Sequence, residues 1–250
     1  CVQRGCVSNL VKAIRFSKVL TQQAVDLEGS PKRLVTHARV LAATARQLEA
    51  VGYTSLTVKD IVSDAQMARG TFYLYFENCS FAAEAVMIAY FTFLSEGRPH
   101  IETCDTFDRI LQSNLYYVST YARNAALLAC IEPLSRERSA FKRFREKNNH
   151  NWCQRVIQDF ESHFAEAAQK ANTEVKTLLV WSMSAMVDEL LREIYISKSA
   201  RHKKLAKKPE QVAELISLAW FRAFYAQDVP AGKLKWTKSL TTIKRLGHDV

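Results

Sequence analysis

The stretch from Thr57 to Cys79 constrains the fold more than any other, because it reads as two short amphipathic helices meeting at a tight turn. Thr57 and Asp60 have the spacing of a capping box, in which a hydroxyl and an acid three residues on satisfy the free amides of a helix start. Val58, Ile61, Val62 and Ala65 recur at helical spacing, so one face is apolar while Lys59 and Ser63 fall elsewhere. After Gln66, Met67 and Ala68 comes a second run in which Phe72 and Phe76, four apart, anchor one face. Arg69, Thr71, Tyr73 and Tyr75 are left on the remaining surface. Core packing explains such a short polar and aromatic helix poorly, whereas the major groove of DNA admits one α-helix.

The flanking sequence supplies the rest of a small helical head. Ser30 and Pro31 have the pattern of a helix start, cap followed by first helical residue. Leu34, Ala38, Leu41, Ala42, Ala45 and Leu48 mark its core stripe, and Gly52 is placed to end it. Tyr53 and Leu56 are expected to pack beneath the second short helix, and Lys32, Arg33 and His37 stand where backbone phosphates could be met. Asn78 or Ser80 opens a further helix to about Ser95, with Ala82, Ala85, Val86, Ala89 and Phe93 at core spacing. Glu96 to Pro99 then breaks the chain.

At these residues the sequence resembles the DNA-binding signature of the TetR family of bacterial transcriptional regulators. The resemblance rests on Leu56 to Ile61 and Ala68 to Phe76 and extends from about Lys32 to Val86. It implies a homodimeric, all-helical, ligand-responsive repressor with an N-terminal helix-turn-helix head and a larger ligand-binding and dimerisation body. It also implies that Lys59, Arg69, Gly70, Tyr73, Leu74 and Tyr75 lie at the groove, that Thr57 and Thr71 hold phosphates, and that the dimer forms through the last two helices. Three positions depart from the family pattern. Gln66 stands where glycine is usual in a turn that needs a left-handed backbone. Ala68 replaces a capping Ser or Thr, and Cys79 replaces a lysine that commonly meets phosphate.

Beyond residue 97 no strand signal appears, and seven Gly and five Pro in 250 residues favour long helices. Asp105 can cap a helix carrying Phe107, Ile110, Leu111, Leu115 and Val118, and Asn124 opens a shorter one that stops near Pro133. Residues 139–171 read as one long helix with Trp152, Val156, Phe160 and Phe164 on a shared face. Thr173 caps the next, a basic loop runs from Lys198 to Lys208, and Pro209 starts a last helix ending near Gln227. The expected divisions are a basic extension at 1–29, the head with its connecting helix at 30–96, the body at 97–228 and a mobile basic tail at 229–250. In the extension Val7, Leu10, Val11 and Ile14 match one helical face, although unfolded upstream sequence explains them as well.

The net charge of +10 is uneven, at +4 over residues 1–80, −1 over 81–200 and +7 over 201–250. A basic end and a mildly basic head suit a polyanionic partner, since phosphate neutralisation supplies most non-specific DNA affinity; a solvated tail is the alternative. Six scattered cysteines include no Cys-x-x-Cys pair, which argues against zinc and against a disulfide scaffold. No apolar run approaches the ~20 residues that cross a bilayer, so the protein is expected to be soluble, and the scattered cysteines with no recognisable signal peptide point to a reducing cytoplasm. Without a phosphate loop, nucleophile elbow or metal cluster the chain reads as no enzyme and as needing no cofactor.

For a ligand cavity the candidates are Phe107, Asn114, Tyr117, Tyr121, Trp152, Phe160, Trp181, Met183 and Met186, large aromatics and methionines with a polar tip. The same residues at helical spacing also serve as plain core. Cys79, beside the expected DNA contact, completes the positions assigned to the groove. The expected partners are palindromic operator duplex DNA, a small lipophilic effector and a second copy of the chain, with no membrane. A competing reading keeps the helical dimer but weakens its head, on account of Gln66, Ala68 and Cys79.

Overall fold

In the computed structural model residues 14–101, 105–163, 172–225 and 227–240 are described, and every regular element among them is helical. Contacts group the described residues into two compact units, one within Arg15–Phe93 and Asn124–Leu190, the other within Leu94–Arg123 and residues 191–240. Both units are discontinuous in sequence, the segment Leu94–Arg123 falling between the two parts of the first.

The first unit begins with a helix in the expected basic extension. In α1, Phe16–Asp26, the residues Phe16, Leu20 and Ala24 repeat every fourth position and are buried, packing against α2, Lys32–Val51. Asn124 fixes its start, accepting a hydrogen bond from the Phe16 amide at 2.7 Å, while the Phe16 ring lies edge-on to Tyr90 at 5.5 Å and 5.3 Å from Phe93. Val7, Leu10 and Val11 of the expected apolar face lie outside the described residues. In α2 the buried face runs through Val40, Ala42, Ala43, Thr44, Ala45 and Leu48, and Gly52 ends the helix with a φ of 76°. Leu34, expected in that stripe, is exposed. No side chain caps the start of α2, which begins at Lys32 after Pro31.

Three more helices follow: α3, Val58–Asp64, α4, Arg69–Tyr73, and α5, Cys79–Glu96. Against the expectation from sequence, α5 is long and apolar enough by composition to cross a membrane. Its Ala82, Ala83, Val86, Met87 and Tyr90 are instead buried in protein. The nearly buried carboxylate of Glu84 receives the Arg138 guanidinium at 2.6 Å, and that group also lies 3.6 Å over the Phe81 ring. The Tyr53 hydroxyl donates to Glu137, 84 residues on in the chain, at 2.6 Å. Short α7, Ala125–Leu128, and α8, Ile131–Glu137, lead to α9, Ser139–His163, and α10, Thr173–Leu191. Pro133, expected as a stop, sits in the first turn of α8, where its missing N–H has no helical partner to lose. Phe164 and the expected extension of α9 to residue 171 lie outside the described residues.

The second unit is built on α6, Thr106–Arg123, packed along α11, Pro209–Tyr225. A single π-helical turn, Arg192–Ile196, continues α10, and two 3₁₀ turns, Ala200–His202 and Leu205–Lys207, give the basic loop regular structure. The described part of the expected mobile tail is a packed strap. Val229 and Leu234 are buried with Phe107 and Leu218, and Glu214, 1% exposed, accepts from the amides of Lys235, Trp236 and Thr237 at 2.7–2.9 Å and from the Thr237 hydroxyl at 2.9 Å. The expectation of mobility fails here because one buried carboxylate gathers consecutive backbone donors.

Candidate nucleic-acid interface

The site is built on α3, the turn after it, and α4. Thr57 caps α3 as its spacing implies, accepting from the Asp60 amide at 3.2 Å and donating to the Asp60 carboxylate at 2.5 Å. Ile61 is completely buried beneath, while Lys59 is exposed. At the other end Asp64 ties α3 to α2: it pairs with Arg46 and accepts from Gln47 at 2.9 Å. Arg46 reaches on to the Thr21 hydroxyl at 2.8 Å, so α1 joins the same network.

The turn takes the left-handed form expected of it. Gln66 has a φ of 52°; its amide donates to the Ser63 carbonyl at 3.2 Å, and that of Met67 donates to Val62 at 3.0 Å. This pair of bonds is the Schellman arrangement that closes a helix on a left-handed residue. Ala68 then leads into α4 in extended conformation with no side-chain cap.

Two phenylalanines set the orientation of α4. Phe72 is fully buried and Phe76 nearly so, and His37 of α2 stacks on Phe76 at 5.5 Å and meets the Tyr75 ring at 5.8 Å. Burial, and then the Arg33 charge, lower the His37 pKa, so the ring is held neutral behind the helix. His37 therefore buttresses Tyr75 and Phe76; its part is a ring contact across helices, which periodicity in one helix does not reveal. On the outer side Arg69, Gly70, Tyr73 and Leu74 are exposed, with Thr71 and Tyr75 half-buried. Arg69 donates from Nη2 to the Tyr73 hydroxyl at 3.2 Å, and its guanidinium lies 5.8 Å from that ring. The pair presents a cation already restrained in direction.

Cys79 is the first residue of α5 and half-buried; Asn78 supplies the cap, accepting from the Ser80 and Phe81 amides at 2.9 and 3.3 Å. Burial raises the Cys79 pKa, and the Asp60 charge adds to this, so the thiol is neutral and offers phosphate no charge.

The expected ligand residues divide between the units. In the second, Phe107 is core, edge-on to Phe221 at 5.8 Å; Asn114 donates to Ser217 at 3.0 Å; Tyr121 touches Tyr117 at 6.1 Å and Tyr195 at 6.2 Å. In the first, Trp152, Phe160 and Met183 are half-buried, and Trp181 and Met186 are exposed. Two grooves flank α1, one of about 420 Å³ between α1 and α2, and none of the nine residues lines either. Among the described residues no group of three metal-binding side chains comes together.

Residues 40–78 match the family model described as bacterial regulatory proteins, tetR family. No curated protein and no solved structure matches the chain.

Proposed function

We propose that this chain, which carries the helix-turn-helix head of a TetR-type DNA-binding transcription regulator, is a cytoplasmic repressor that binds a palindromic operator as a homodimer and leaves it on binding a small lipophilic effector. One observation carries the reading: Phe72 and Phe76 are sunk into the head while Arg69, Tyr73 and Leu74 of the same short helix face outward. Arg69 and Lys59 then read base edges, Arg69 most suitably guanine through its two-pronged guanidinium. Thr57, Thr71, Tyr73 and Tyr75 set the helix on phosphate and sugar.

The functional division we assign is a reading head with its connecting helix at 30–96 and a body from 97 to 228. A dimer is supported by α10, where Val175, Leu178, Trp181 and Met186 expose a stripe of large apolar groups on one face. That exposure suits Trp181 and Met186 to a subunit contact better than to a closed cavity. Two heads explain palindromic recognition, since half-sites lie one helical turn or a multiple apart. For the effector the supporting groups are Tyr117, Tyr121 and Asn114 of α6. Tyr195, whose ring neighbours that of Tyr121, has its hydroxyl buried without a hydrogen-bond partner among the described residues, and a ligand acceptor would satisfy it.

Selection of bound sequences from random duplex DNA at a stated salt concentration tests the reading. A palindrome is expected, and Arg69→Ala should lose about 1–3 kcal/mol and relax one base position in each half. Unchanged selectivity overturns the assignment of Arg69, and the absence of any selected sequence overturns the regulator. A second reading, a helical dimer with a weakened head, is favoured by the uncapped Ala68, the strained Gln66 and the neutral Cys79. Cys79→Lys separates the two: a working head gains affinity and a steeper salt dependence, and a weakened one gains neither.

A further inference from the structure

We propose that Gly70 and Leu74 form a notch on α4 that takes the C5-methyl group of a thymine, so that the head reads one A·T pair by apolar contact beside the base read by Arg69. The inference rests on the DNA-binding reading and adds a specificity to it. Leu74 is 77% exposed, more than any other large hydrophobic side chain among the described residues. Its backbone stays right-handed helical, with φ −73° and ψ −15°. It therefore continues the face of Gly70 four residues earlier, and such positions lie about 5–6 Å apart at Cβ. That face is turned away from the buried Phe72 and Phe76.

Gly70 has no reason inside the protein to be glycine. Its φ is not in the left-handed region, and a Cβ built there would meet nothing within 4 Å. Glycine is one of the poorest helix formers, and a helix of five residues can ill spare the loss. A missing side chain at an exposed helical position instead lets another surface approach the backbone closely. Of the groups on the major-groove edges of the bases, the thymine methyl is the protruding apolar one. A leucine left in water next to a bare backbone position has the shape and chemistry for that group. The adjacent edge of the helix carries the hydrogen-bonded Arg69 and Tyr73, so polar and apolar readers stand side by side.

The test uses the full chain and the duplexes it selects from random DNA. Each thymine is replaced in turn by uracil, which pairs identically but lacks the methyl group. Wild type should lose about fourfold in affinity at one thymine of each half-site, the size expected from burying one methyl, and Leu74→Ala should bind thymine and uracil duplexes equally. Gly70→Ala should raise Tm by about 2–4 °C, because alanine favours helix, and yet bind the selected duplex several-fold more weakly. The notch is overturned if no uracil costs wild type more than twofold, if Leu74→Ala keeps the same discrimination, or if Gly70→Ala binds as wild type does. Each of these leaves the regulator standing when a sequence is selected; if none is selected, the notch and the regulator fall together.

Discussion

Gln66 shows how one residue can both terminate a helix and strain it. Its φ of 52° closes α3 in the bonding pattern described above, a conformation that costs a residue with a Cβ about 1–2 kcal/mol. Gln66→Gly is expected to stabilise the protein by about 1 kcal/mol, seen as a higher urea midpoint at unchanged m; a lower midpoint would show that the glutamine is at ease there. This conformation was legible in the sequence because everything that demands it, α3 before and α4 after, lies within a few residues. The role of His37 was not, because the ring acts on Phe76 and Tyr75 across a helix junction. With its pKa lowered below 6.5, His37 binds fewer protons folded than unfolded between the two values. Its contribution to stability is complete above about pH 6.5 and is lost as pH falls through the lowered folded value. His37→Asn should flatten that acid limb of the stability profile, as chemical denaturation at stepped pH would register.

At the scale of elements, helices with their own cap and stripe were readable and those held from afar were not. α3 announced itself through Thr57 and Asp60, and α6 through Asp105, whose carboxylate accepts from the Asp108 amide at 2.9 Å. α1 carries the same kind of stripe, but it is placed by Asn124, 108 residues away in sequence. Asn124 itself opens α7, as its place in the sequence suggests, but its side chain makes no capping bond there. Asn124→Ala strands a buried amide at Phe16, so a loss of about 1–3 kcal/mol is expected in equilibrium unfolding. A loss near zero would mean that α1 is held by its apolar face alone.

Across the whole molecule, composition was a poorer guide than pairing. The basic C-terminal tail reads from its composition as mobile, yet its described part holds Val229 and Leu234 in a core and is drawn in by Glu214. Burial alone would raise the Glu214 carboxyl, but three amides and the Thr237 hydroxyl outweigh it and leave the pKa below the ordinary value. A carboxylate lowered in this way contributes stability above its unfolded pKa and loses it as pH falls through the folded one. Glu214→Gln should therefore cost about 1.5–3 kcal/mol near neutral pH, with the gap from wild type narrowing in acid.

The attachment of α1 also bears on how the head could be isolated. The span that matches the regulator family starts at Val40, partway along α2, and ends at Asn78, and so omits α1, which packs on α2, together with the contacts of Phe16 with Tyr90 and Phe93. A peptide trimmed to that span would keep α4 but bare a greasy seam, and it should clump instead of folding. Shortened versions intended for DNA work ought to retain everything from Arg15 onward.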